Sequence, residues 1–175
     1  MDFNADHFSL FSLPRKFRID TVQLDGVYRE LQAQVHPDRF ADASESQQRL
    51  SLQWATKVNE AYQALKKPLQ RAIYLLDLAG HGIDLANNHA MSAEFLVEQM
   101  EWREAVAEAR AENALEALEA LDQRVKASIR SGYEELAILL DDRQDFVVAA
   151  DRVRRLMFLE RLWVDIDEAL AAVEA

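Results

Sequence analysis

Val35-His36-Pro37-Asp38-Arg39-Phe40 lies between two segments with strong helical patterning, and its reading decides the fold. Upstream, Leu24, Val27, Tyr28, Leu31 and Val35 recur at the three- and four-residue spacing of one helix face. Pro37 disfavours helical geometry at His36 and has no N–H to continue the ladder, so the helix must end there. Downstream, Leu50, Trp54, Val58, Ala61, Tyr62 and Leu65 restart the pattern. The spacing predicts a helical hairpin with an ionisable triplet at its tip, held by a rigid proline.

Outward from the hairpin, residues 8–13 read as a short helix or turn ended by Pro14, with Phe8, Phe11 and Leu13 free to pack. Asp20 followed by Gln23 reads as a capping arrangement for a helix to about Gln34. Gly26 inside it should cost ~1 kcal/mol relative to Ala. Ser44 is the expected N-cap of the next helix, which ends at Lys66-Lys67, where positive charge suits the helix end. Pro68 opens a helix through Leu78, with Ile73, Leu75, Leu76 and Leu78 as apolar surface; Gly80-His81-Gly82 stops it.

Ser92 can cap a helix to about Ala111. A long helix from Glu112 to Leu140 follows, with Leu115, Leu118, Leu121, Val125, Ile129, Tyr133 and Leu136 on one stripe. Gly132 on that helix implies a bend or a close contact. Asp141 to Asp145 is the expected turn, and the last helix runs from about Asp145 to Val173. Trp54, Trp102 and Trp163 fall on apolar positions and are expected in cores. His7, His81 and His89 are expected to be solvated. Strand signals are absent, so the expected class is all-α, with three long antiparallel helices as the second half.

Half of the 175 residues are hydrophobic, four are Gly and none is Cys. That excludes a disulfide framework, a thiol nucleophile and thiolate ligation of a metal or cluster. The opening Met1 to Asp6 has neither a basic nor an apolar stretch, so no signal peptide is expected. No apolar run is long enough for a membrane span. The net charge of −11 is uneven: residues 1–75 carry ten Lys and Arg against nine Asp and Glu, residues 76–175 ten against 22. Patterning and charge together predict two domains, 1–79 and 92–175, joined by 80–91. The acidic half is poorly suited to nucleic acid.

Two constellations carry possible function. His36 and Asp38 could be an acid–base or metal-ligating pair, but a third ligand, an oxyanion hole and a phosphate loop are missing. They could instead cap helix ends. On the helix after Ser92, Phe95, Trp102, Val106 and Ala109 share a stripe, while Leu96 and Met100 lie about 100–140° away, beside Arg103. Val97 lies further round. In the last helix Leu156-Met157-Phe158-Leu159 is unbroken, with Phe158 off the main line. Periodicity leaves burial and exposure of both arcs equally open.

Tyr28-Arg29-Glu30-Leu31, His36-Pro37-Asp38-Arg39-Phe40 and Val58-Asn59-Glu60-Ala61-Tyr62-Gln63-Ala64-Leu65 resemble a J domain, the module that triggers ATP hydrolysis by DnaK-type chaperones. With Phe8 to Pro14, Pro68 to Leu76 and Phe95 to Glu104, nearly the whole chain resembles the HscB family of iron–sulfur co-chaperones. The resemblance implies a J domain joined to a three-helix bundle in an L shape. It implies that His36, Pro37, Asp38, Arg29 and Arg39 face an HscA-type ATP-dependent chaperone. Leu96, Val97, Met100, Glu101, Arg103, Glu104 and Phe158 would face the IscU-type cluster scaffold, with Val97 replacing a longer family residue. The basic face before the loop is thin, since Asp25 and Glu30 offset Arg29; Arg15, Lys16, Arg18 and Arg39 lie nearby in sequence. The resemblance also implies no enzyme activity, no cofactor, no nucleic-acid or membrane partner, and a bacterial cytoplasmic form. A structural helical protein and a J protein for general unfolded clients are the rival readings.

Overall fold

The computed structural model describes residues 4–83 and 92–174. Residues 84–91, with His89 and most of the expected connection, lie outside the described residues. The chain divides into two units, Met1–Leu75 and Leu76–Ala175. The division falls inside a helix, α4, rather than at the glycines after it. Every described element is helical.

In the first unit α1 (His7–Leu10) precedes the hairpin of α2 (Thr21–Val35) and α3 (Glu45–Lys66), whose tip is a single 3-10 turn, Pro37–Phe40. Local chemistry sets these ends. The Asp20 carboxylate accepts the amides of Val22 and Gln23. Gln23 does not reciprocate as a capping box would; its side chain donates to the Ser12 carbonyl. Ser44 and Gln47 do form a reciprocal box at the start of α3. Lys67 is extended, as a residue before proline must be, and Pro68 opens α4 (Pro68–Leu78).

Phe8, Phe11, Leu24, Val58, Ala61 and Leu65 are fully buried between these helices. Each of these side chains larger than alanine stabilises the unit by ~1.5–3 kcal/mol relative to exposure. A polar ladder runs along the hairpin beside this core. Tyr28 and Tyr62 stack at 3.9 Å. The Tyr28 hydroxyl donates to Asn59, and Gln32 donates to both. Buried Arg71 donates to the carbonyls of Phe17 and Leu65, tying the segment after Pro14 to the end of α3.

Asp6 caps α1. Its carboxylate accepts the Ser9 amide and hydroxyl and pairs with Arg15 at 2.6 Å. Burial alone would raise this carboxyl, but the Ser9 amide, Arg15 and the Ser9 hydroxyl together lower it from 3.8 to about 2. A depressed folded pKa gives stability that is present above 3.8 and is lost as pH falls through about 2. With screening at the exposed arginine, the contribution is on the order of 1–2 kcal/mol. Urea unfolding should therefore separate Asp6→Asn from wild type by that amount near pH 5, and the gap should close near pH 2. A gap independent of pH would mean that the charge is irrelevant.

The second unit contains the end of α4, then α5 (Ala93–Ala111), α6 (Leu115–Ala137) and α7 (Phe146–Glu174). Ser92 caps α5 through the Phe95 amide. Asn113 takes a left-handed conformation between α5 and α6, a conformation asparagine tolerates. After α6, residues Ile138–Arg143 widen into a π-helical turn, and left-handed Gln144 reverses the chain. The expected turn at 141–145 is thus wider and starts earlier. Trp102, Val106, Val125, Leu159, Leu162 and Ile166 form the core. Gly132 is a close contact: a Cβ there would come within 2.8 Å of Leu156 Cδ2, so its absence lets α7 lie against α6.

Several expected core positions are exposed. Leu50, Leu78 and Leu115 are partly in solvent. Trp163 is also exposed; its indole N–H donates to Asp122, and Lys126 lies over its ring. His7, expected in solvent, is half-buried and stacks on Tyr74 at 4.2 Å. Burial, with Lys57 nearby, holds it below the ordinary histidine range despite Asp6 and Glu60. His81 is exposed but stacks on Phe146.

Candidate functional site

At the hairpin tip, missing donors explain the construction. In a continued helix the amide of residue 37 would reach the Ala33 carbonyl, and Pro37 has none. Arg39 supplies the donor instead, with Nη1 2.9 Å from the Ala33 oxygen. The hydroxyl of buried Ser51 donates to the Val35 carbonyl at 2.7 Å, and the Arg39 amide to that of His36. On the far side of the turn, Gln48 donates to the carbonyls of Ala41 and Ala43. The turn is held from both ends.

On this frame the Asp38 side chain is 90% exposed and that of His36 55%. The Asp38 amide donates to His36 Nδ1, and the carboxylate lies 3.6 Å from the same nitrogen. Among the described residues Asp38 pairs with no lysine or arginine. Its charge is available to a partner's cation. The cap at that position is His36, which accepts the Asp38 amide, and no hydrogen bond to a backbone amide is made by the Asp38 carboxylate among the described residues.

The remaining tip residues divide. Arg39, expected to face a partner, commits one guanidinium donor inside the hairpin. Arg29 is exposed on α2, with Nε donating to the Asp25 carbonyl. The Asp25 carboxylate itself turns to Lys66, 2.7 Å from both oxygens, and to Tyr62. Lys66 and then Tyr62 draw Asp25 below the usual carboxylate range, and Asp25 raises Lys66 in return. Asp25 is thus paired within the hairpin and offsets Arg29 less than its sequence position suggests.

In the second unit, Phe95, Trp102, Val106 and Ala109 fix which side of α5 is buried. The opposite arc carries Leu96, Val97 and Met100, 47%, 55% and 70% exposed. Glu101, Arg103 and Glu104 are exposed around them. The two arcs left open by periodicity resolve differently. The α5 arc is in solvent. Phe158 on α7 is half-buried: it meets Phe95 edge-to-face at 5.9 Å and packs against the core. Arg103 lies 5.6 Å over its ring, which joins Phe158 to the α5 arc. Arg155 pins the underlying pair of helices through Glu98 on α5 and its contact with the Phe95 ring.

Sequence reasoning did not single out Gln48, Ser51 or the Asp25–Lys66 pair. None follows a spacing rule: the Ser51 and Asp25–Lys66 contacts join segments that become neighbours only when the hairpin closes, and Gln48 reaches back five and seven residues into an irregular loop. No three His, Asp or Glu side chains are grouped to hold a metal ion among the described residues. No helix of the described residues is long and apolar enough to cross a membrane.

Comparison with known proteins identifies the family. Residues 91–167 match the family profile described as the HSCB C-terminal oligomerisation domain. The chain is 51% identical over 174 residues to a co-chaperone protein HscB homolog of Aromatoleum aromaticum, covering 99% of this chain and 98% of that one. A homolog from an Azoarcus species is 52% identical over the same shares. Among solved structures, the chaperone HscB from Vibrio cholerae superposes with a TM-score of 0.84 at 37% identity, over 97% of this chain and 99% of that one. The human co-chaperone protein HscB gives 0.88 at 33% identity, over 96% and 83%.

Proposed function

The chain belongs to the HscB co-chaperone family, and from that premise we propose that it activates an HscA-type 70-kDa chaperone and brings it an IscU-type scaffold of iron–sulfur assembly. The observation that carries the reading is Asp38: an exposed carboxylate with no lysine or arginine partner among the described residues, on a turn whose carbonyls are tied down on both sides. Such a group suits a bidentate, charge-assisted bond from a partner's arginine. His36 and Pro37 shape its surroundings, and Arg29 and Arg39 add positive field beside it. The hydrolysis chemistry belongs to the chaperone, so the chain acts by binding.

Leu96, Val97 and Met100 form the apolar centre of the scaffold site, the edge of Phe158 extends it, and Glu101, Arg103 and Glu104 make a charged rim. That is the anatomy of a partner surface, with an apolar middle and a polar border. Both partners are cytoplasmic in this reading, and neither nucleic acid nor membrane takes part. Hydrolysis would lock the chaperone on the scaffold and favour cluster release.

The test is an ATPase assay with an HscA-type chaperone, with and without scaffold. Stimulation by this chain, raised further by scaffold, is expected. No stimulation would return the molecule to a structural role. Capture of denatured polypeptides in place of the scaffold would indicate general clients.

A further inference from the structure

We propose that Gln48 is a positioning residue for chaperone activation, fixing the turn that presents Asp38 without touching the chaperone itself. The inference rests on the docking reading of that turn. Gln48 Nε2 lies 2.9 Å from the Ala41 oxygen and 3.1 Å from that of Ala43. The amides of those two residues return to the turn, to the carbonyls of Asp38 and Phe40. One side chain on the first turn of α3 therefore holds, through their carbonyls, the same two residues whose amides bond back to Asp38 and Phe40. The Asp38 carboxylate has little support of its own, since it stands almost wholly in solvent. The backbone sets its direction, and Gln48 holds the backbone.

Releasing the clamp lets the turn sample other conformations. The apparent affinity for a partner falls with the fraction that remains competent, while the complex, once formed, is unchanged. Half-maximal ATPase stimulation should then need more co-chaperone, with the same maximum. Gln48→Ala and Gln48→Glu should both raise that concentration about five- to tenfold, the equivalent of roughly one net hydrogen bond. Glutamate has the length but no donor, and its charge faces two carbonyl oxygens. Gln48→Lys restores a donor and should stay within about twofold of wild type.

Position 48 is exposed and lies near the N-terminus of α3, where a negative side chain favours the helix and a positive one does not. Melting temperature should therefore order glutamate above lysine, and activation should order lysine above glutamate. A purely structural role would give one order for both measurements, which would overturn the proposal. So would a lysine variant as impaired as the glutamate one. Asp38→Asn run alongside separates the two levels. If it stimulates like wild type, the docking reading fails. If it is inactive while all Gln48 variants match wild type, only the positioning role fails.

Discussion

Asp38→Asn should abolish ATPase stimulation of the chaperone while leaving the melting temperature and helical circular dichroism unchanged. The substitution preserves shape and removes the charge that an arginine would pair with. Losing one partner of a hydrogen-bonded interfacial charge pair costs about 2–5 kcal/mol, roughly a thirty- to several-thousandfold loss in affinity. Folding should not notice. The carboxylate is 90% exposed, and the local cap is the Asp38 amide on His36 Nδ1, which asparagine retains. Normal stimulation by this variant would sink the docking role of Asp38. An unfolded variant would show that the carboxylate belongs to the hairpin's own structure.

The second large effect is expected on the bundle. Leu96→Ala with Met100→Ala should weaken scaffold binding in calorimetry by roughly thirty- to a thousandfold, which corresponds to about 2–4 kcal/mol of apolar contact. The two side chains lie one turn apart and are 47% and 70% exposed, so both have surface left to bury against a partner. Stability should move by no more than about 0.5 kcal/mol, as for other surface truncations. Basal chaperone stimulation should persist, because the hairpin is untouched. Phe158→Ala is the contrasting case: its edge-to-face contact and core packing mean that stability, too, should fall by about 1–3 kcal/mol. Unchanged scaffold binding in a folded double variant would remove α5 from the proposed site.

Much of the fold was legible because its punctuation is local. Pro37 ends α2 by its own covalent structure, and Ser44 and Ser92 cap the helices that follow them. The hairpin, its triplet and the α5 stripe can be read from spacing alone. Periodicity assigns a direction around a helix, however, and not what stands there. Trp163 and Leu50 share the stripe of buried residues yet remain partly in solvent, Trp163 at the side where it meets the polar Asp122 and Lys126 of α6. Leu96 and Phe158 show the converse. Both lie off the main stripe, but only Leu96 is open, because Phe95 and Arg103 close over one side of Phe158. The Lys66–Asp25 pair spans 41 residues and leaves no trace in either helix's own pattern.

Arg39's bond to the Ala33 carbonyl has an evolutionary corollary, since its value depends on which residue occupies position 37. While proline stands there, the carbonyl has no backbone donor and a substitution at 39 leaves it without one. With an N–H-bearing residue at 37, a helical continuation could satisfy Ala33 by itself, and the same substitution would lose much of its effect. The two positions are therefore epistatic. Drift at 39 is constrained by a residue two places away that Arg39 does not bond. An ordering of changes that replaced Arg39 first would pass through a frayed hairpin, whereas the reverse order would first sacrifice the fixed bend that presents Asp38.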